Sequence, residues 1–190
     1  QWMIDHVALA QYISDHGQVW LNLLKDLVLI DSSREGDPTG VNQVLDRVAD
    51  YLSTLGISVN QTKTPVGNIL TAKTGTKGPR ILCLGHADTV LPPDGPLAWR
   101  EAPAEDRIYG SGVMDMKGGD VYMIAIAETA KKFEIPVQLT LMIVPDEETG
   151  SHHSKAAIEA AARQHDYCIV FEASETMNDI VRSRKTGIHS

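Results

Sequence analysis

Apolar residues recur at helical spacing over residues 4–13 and again over 19–30, most clearly at Val19, Trp20, Leu23, Leu24, Leu27 and Val28. This predicts two outer helices, each with one buried stripe. After the turn cluster Gly36-Asp37-Pro38-Thr39-Gly40, a further helical face runs through Val41, Val44, Leu45, Val48, Leu52 and Leu55. It stops at Gly56, a residue suited to a helix C-cap. The period then shortens to two: Ile57, Val59 and Gln61 alternate with Ser58, Asn60 and Thr62, and with residues 69–72 they predict two modest strands with one side in solvent. Residues 75–79 read as a loop.

The compact apolar runs at 80–84, 137–144 and 167–171 have the look of strands covered on both faces. They deliver, in turn, His86, the cluster Pro145-Asp146-Glu147-Glu148-Thr149-Gly150, and Glu172. Between the first two runs, Pro92, Pro93, Gly95 and Pro96 forbid regular structure, and 99–110 reads as an irregular or two-stranded excursion ending in a glycine-rich loop that carries Asp115. Lys117-Gly118-Gly119 opens a helix whose stretch 121–127 is apolar on every side, which predicts deep burial. Ser151 is the expected N-cap of an Ala-rich helix reaching about Arg163. Residues 179–187 read as a strand leaving the domain. Alternating apolar strands and helices argue an α/β fold with a mainly parallel sheet, and in open sheets of that kind ligands gather at the carboxyl ends of the strands.

Composition narrows the function classes. With 43% hydrophobic and 22% charged residues among 190, the chain is expected to fold. The net charge of −8 and the lack of any basic run longer than Arg182-Ser183-Arg184-Lys185 argue against a nucleic-acid partner. No apolar stretch approaches the roughly 20 residues that span a bilayer, so no membrane segment is expected. Cys83 and Cys168 sit in apolar strand-like runs and read as buried packing thiols without a disulfide. The sequence opens on Gln1 with no basic-then-apolar leader, which leaves the compartment open.

The candidate chemistry centres on Leu84-Gly85-His86-Ala87-Asp88-Thr89-Val90. Residues i and i+2 of an extended chain face the same side, so the Asp88 carboxylate can reach one ring nitrogen of His86 while the other stays free for a metal. Alone, such a pair reads as an ordinary surface hydrogen bond. With Asp115, Glu147, Glu148 and Glu172 it supplies one nitrogen and more oxygens than a single tetrahedral zinc needs, which points to a two-metal hydrolytic site. Adjacent glutamates on extended backbone point apart, so one of Glu147 and Glu148 ligates while the other handles a proton.

Four ordered motifs, Gly85-His86-Ala87-Asp88-Thr89-Val90, Tyr109-Gly110-Ser111-Gly112-Val113-Met114-Asp115-Met116-Lys117-Gly118-Gly119, Asp146-Glu147-Glu148-Thr149-Gly150-Ser151 and Phe171-Glu172, resemble the dizinc hydrolase family of aminoacylases, acetylornithine deacetylases, succinyl-diaminopimelate desuccinylases and glutamate carboxypeptidases. The resemblance implies a three-layer zinc-peptidase-like catalytic domain with helices on both faces of the sheet. It implies two zinc ions, with cobalt or manganese as substitutes, held by His86, Asp115 as the bridge, Glu148 and Glu172. Glu147 would be the general base acting on a metal-bridged water, with Asp88 supporting His86, and the Asp115–Met116 peptide would be cis. The implied substrate is a small peptide or N-acyl amino acid whose scissile amide lies next to a free carboxylate.

The same resemblance divides the chain into residues 1–180, the N-terminal part of the catalytic domain, and 181–190, the entry into a lid domain through which such proteins form homodimers. It implies a further metal-binding His beyond Ser190, so the 190 residues alone are expected to hydrolyse poorly and to leave apolar surface open. A noncatalytic metal-binding or scaffold protein of the same fold is the competing reading, against which the intact Glu147-Glu148 pair speaks. A two-carboxylate glycosidase would leave His86-Ala87-Asp88 without a task. His6, His16, His165, His189 and the pair His152-His153 carry no assigned role, and Met114 and Met116 are read as loop packing.

Overall fold

The computed structural model describes residues 4–173. The expected strand at 179–187, the lid entry at 181–190 and His189 lie outside the described residues. Helices α1 (His6–Val28) and α2 (Pro38–Thr54) lead into strands β1 (Val59–Thr64), β2 (Gly67–Thr74) and β3 (Arg80–His86). The short pair β4 (Arg100–Ala102) and β5 (Arg107–Tyr109) precedes α3 (Lys117–Lys132), β6 (Gln138–Val144), α4 (Lys155–Ala162) and β7 (Tyr167–Val170).

The strands form a five-stranded sheet in the order β1-β2-β6-β3-β7, with β4 and β5 as a separate antiparallel pair. β6, β3 and β7 run parallel, and β1 and β2 are antiparallel additions at one side. On one face, Leu23 and Leu27 of α1, Val44, Leu45 and Val48 of α2 and Ile124 and Ala127 of α3 pack on Leu70, Cys83 and Leu141. On the other, Ile158 and Ala161 of α4 cover Ile69, Leu82, Met142 and Val144. Three layers result, with helices on both faces, and the parallel strands align their carboxyl ends: His86 pairs with Val144, and Leu84 with Val170.

Several local expectations are corrected. The two predicted outer helices are one: α1 runs unbroken through Gly17, because a lone exposed glycine costs only about 1 kcal/mol and removes no hydrogen bond. Asp5 caps its start by accepting from the N–H groups of Val7 and Ala8. α2 begins at Pro38 after the N-cap Asp37 and is followed by Gly56 at φ 66° as expected. β2 is largely buried rather than half in solvent, since it lies between β1 and β6 with both faces covered. α3 is not buried all round: Tyr122 and Ile126 are exposed and, with Ile13, Trp20, Ile169 and Phe171, line an apolar cleft of about 610 Å3. β7 is exposed along its length, because it is the edge strand and no described residue covers its outer flank. Cys168 is therefore exposed, whereas Cys83 is buried and its thiol is pushed up to about 11 by that burial. Ser151 does not cap α4; it sits at φ 56° in a turn, and the helix starts at Lys155.

One polar cluster ties the helical layer together. Glu128 of α3, 6% exposed, accepts hydrogen bonds from Tyr12 Oη and Trp20 Nε1 of α1 and from Tyr51 Oη of α2, at 2.8, 2.8 and 2.7 Å.

Candidate metal centre

His86 ends β3 at the sheet's carboxyl edge, and its imidazole is 1% exposed. Nδ1 lies 2.9 Å from the main-chain oxygen of Asp88 and 3.2 Å from its Oδ1. A carbonyl oxygen only accepts, so Nδ1 carries a proton and Nε2 is the nitrogen left to face the centre. Around Nε2 stand Asp115 Oδ1 at 3.0 Å, Glu172 Oε1 at 3.2 Å and Glu147 Oε2 at 3.9 Å. His86, Asp115 and Glu148 have ligand atoms all within 4.8 Å of one another, and so have His86, Glu147 and Glu172. Every residue expected at the centre is brought there.

Each carboxylate arrives by its own tether. Asp88 does more than was expected of it: besides meeting the imidazole, its Oδ1 and Oδ2 accept the backbone N–H groups of Glu147 and Glu148 at 3.2 and 2.9 Å. The residue after His86 in the same register therefore fixes the turn that carries both glutamates. That turn is closed from below by Asp146, whose carboxylate accepts the N–H of His153 and whose carbonyl accepts that of Ser151. Glu172 follows Phe171, whose N–H bonds Leu84 O and whose carbonyl lies against Gly119 so closely that a Cβ there would collide with it. The Asp115–Met116 peptide is cis, as the resemblance implied.

Two buried groups were not singled out from the sequence. Lys117, 1% exposed, donates from Nζ to the carbonyls of Leu27 and Ile30 at 2.9 Å each, tying the Asp115 loop to the end of α1. Burial depresses its pKa to about 8, offset in part by Asp120 and Asp31. Asp120 is fully buried behind the centre, where a Cβ on Gly85 would strike its Oδ1, and neither carboxyl oxygen has a hydrogen-bond partner. Desolvation pushes its pKa well above the ordinary carboxylate range, against the opposing pull of His86 and Lys117. Lys117 stood inside a recognised motif; nothing local marked Asp120.

The electrostatics fit a cation. Burial disfavours a charged imidazole at His86, yet the carboxylates of Asp115, Asp88 and Glu172 override it and raise its pKa. Hydrogen bonding to His86 lowers that of Asp115. Burial first, and then the neighbouring carboxylates, raise Glu147 and push Glu148 up to about 7. Acidic groups crowded on one imidazole nitrogen are relieved by a positive ion, and one nitrogen with several carboxylate oxygens is a donor set that borderline divalent metals accept. Two other described histidines have partners away from the centre: His16 bonds Tyr12 O, and His165 bonds Ala161 O and Thr140 Oγ1.

Comparison with known proteins agrees with this geometry. Residues 82–182 match the family model described as peptidase family M20/M25/M40. The chain is 35% identical over 128 residues to a succinyl-diaminopimelate desuccinylase of Stutzerimonas stutzeri (strain A1501), covering 60% of the chain and 33% of the relative. It is 31% identical over 165 residues to an acetylornithine deacetylase of Vibrio atlanticus (strain LGP32), covering 80% and 42%, and 28% identical over 187 residues to carboxypeptidase G2 of Pseudomonas sp. (strain RS-16), covering 95% and 45%. The chain thus spans less than half the length of these relatives. Among solved structures, human carnosine dipeptidase 1 shares the fold with a TM-score of 0.72 at 24% identity, over 85% of this chain and 40% of that one. The matched segment contains His86, Asp115, Glu147, Glu148 and Glu172, and the chain belongs to peptidase family M20/M25/M40.

Proposed function

We propose that the protein carrying this chain is a metal-dependent amidohydrolase that cleaves an amide or peptide bond next to a free carboxylate, in an N-acyl amino acid or a small peptide. The observation that carries the reading is the convergence of Asp115, Glu147 and Glu172 on the one imidazole nitrogen left facing the centre, with Glu148 beside them. His86, Asp115, Glu148 and Glu172 would hold two zinc ions. When bound, the metal supplies Lewis-acid polarisation of the scissile carbonyl and makes water acidic enough to attack near neutral pH.

Glu147 is the general base in this reading. Its side chain is 51% exposed and faces the centre, while its backbone is pinned by Asp88. Burial of the carboxylate raises its affinity for a proton above that of an ordinary glutamate, which suits a group that must accept one and return it. It takes the proton of the attacking water as the C–O bond forms, then delivers it to the amide nitrogen as the C–N bond breaks, leaving a carboxylic acid and an amine. Asp88 is a positioning residue: it holds the tautomer of His86 and the Glu147-Glu148 turn at once. Residues 1–180 are read as part of the catalytic domain and 181–190 as the entry into a lid that closes over the substrate and mediates dimerisation.

The test is metal analysis of the full-length protein with turnover of N-acyl amino acids and C-terminal glutamyl peptides, before and after chelation. We expect hydrolysis that is abolished by chelation and restored by zinc. Metal-replete protein that hydrolyses neither class would overturn the reading in favour of a noncatalytic scaffold.

A further inference from the structure

Asp120 stands in the first turn of α3, 0% exposed, and among the described residues neither of its carboxyl oxygens has a hydrogen-bond partner. Its Oδ1 and the methyl groups of Met116 and Met123, both fully buried, converge on the point where a Cβ of Gly85 would lie, so the carboxyl sits in apolar surroundings. Lys117, three residues earlier, makes no ion pair with it, because Nζ donates to the carbonyls of Leu27 and Ile30. An acidic residue in the first turn gains a little from the helix dipole. Burying a carboxyl without a partner costs far more than that gain, and an apolar side chain would fill the same space at less cost to the fold.

The placement of the group says what could offset that cost. Gly85, against which it packs, precedes His86, and the adjoining Gly119 lies against the carbonyl of Phe171, which precedes Glu172. The carboxyl is therefore wedged behind two of the expected metal ligands. His86 and Lys117 attract its charge, whereas Glu172 and Asp88 repel it. Resting on the metal-centre reading above, we propose that Asp120 is an electrostatic support of the bound metal: it supplies no ligand atom, and its burial is compensated by the positive charge that His86, Asp115, Glu148 and Glu172 hold. A charge in apolar surroundings is felt over a longer distance than one in water, so direct contact with the metal is not required. The same carboxyl then lowers the stability of the metal-free chain and raises its affinity for a cation, two effects of opposite sign.

In the full-length protein, Asp120→Asn keeps the shape of the side chain and removes its charge. It should weaken zinc binding, read by competition with a chromophoric chelator, by about tenfold or more, the scale of a lost outer partner of a metal site. The urea midpoint of the metal-free variant should stay level with the wild type or rise above it. Asp120→Ala, which removes packing as well, should weaken zinc to a similar degree although its metal-free midpoint falls. Zinc should accordingly raise the midpoint less in either variant than in the wild type. Unchanged zinc affinity in Asp120→Asn overturns the proposal. So does a loss of affinity accompanied by a lower metal-free midpoint in that variant, since Asp120 would then support the fold and not the metal. Wild-type protein that takes up no zinc instead defeats the metal-centre reading, and the role of Asp120 with it.

Discussion

Replacing Glu147 by Gln removes a proton acceptor while leaving the architecture that holds it. The side chain is half exposed, the backbone N–H that binds Asp88 Oδ1 is untouched, and glutamine has the same shape, so unfolding stability should change by no more than about 0.5 kcal/mol. Loss of a general acid-base group costs roughly a hundredfold to ten-thousandfold in rate, which corresponds to about 2.7 to 5.4 kcal/mol in the barrier. Metal should stay, because in the proposed division of roles His86, Asp115, Glu148 and Glu172 hold it, whereas Glu147, although it stands with His86 and Glu172, acts as the base. Glu148→Gln removes an anionic member of that grouping and should release metal during dialysis against a weak chelator. Metal per chain, measured beside kcat in the full-length protein, separates the two. A Glu147→Gln protein that loses metal, beside a Glu148→Gln protein that keeps it, would refute the division of roles and exchange them.

Other parts of the molecule give independent checks. Glu128→Leu leaves Tyr12, Trp20 and Tyr51 without their shared acceptor and should cost about 3 kcal/mol in urea unfolding; a loss below about 1 kcal/mol would mean that water replaces Glu128 without penalty. Burial, then the bond to Glu128, raises Tyr12 to about 12 and raises Tyr51 as well. The unfolded tyrosines ionise near about pH 10, so this stabilisation is complete below that pH and declines as pH rises through the folded values. Urea midpoints that fall as pH rises from about 10 toward about 12, less steeply in Glu128→Leu, would bear this out, and parallel profiles would not. Gly119→Ala must push the Phe171 carbonyl away from α3, which should cost about 1 to 3 kcal/mol and lower zinc retention by displacing Glu172; normal retention would show that Glu172 does not depend on that approach.

The parts of this molecule that were legible in the sequence are those whose cause is local. A strand covered on both faces is a continuous apolar run, so β3 and β6 and the ends that bear His86 and the two glutamates could be located by reading alone. Their convergence also followed, since parallel neighbours in register bring their carboxyl ends to one level. What could not be read depends on distant partners. Glu128 looks like an ordinary helical glutamate, and its donors lie 116, 108 and 77 positions away. The apolar run of β7 predicts a covered strand, but coverage is decided by what lies beyond the sheet edge, not by the run itself. The gap between the two apolar stretches of α1 suggested a break, yet Tyr12, His16 and Trp20 continue across it, with Tyr12 stacked on His16 and His16 tilted against Trp20.

The motif lengths have a physical explanation in the tethers. Asp115 and Glu147 are more than half exposed, and such side chains have little packing of their own to fix them. Their positions are set instead by buried neighbours that never touch the centre: Lys117 against the end of α1, Gly119 against the Phe171 carbonyl, Gly85 against Asp120, Asp88 against the glutamate turn. Most of the glycine-rich stretch around Asp115 is thus devoted to placing one carboxylate within reach of one imidazole. It follows that substitutions at these buried neighbours should weaken metal retention as surely as substitutions at the ligands, although none of them contributes a ligand atom. The damage differs in kind, because Asp115, Glu148 and Glu172 are partly open to solvent and can be replaced without a clash, whereas Gly85 and Gly119 have carboxyl or backbone atoms where any Cβ would go.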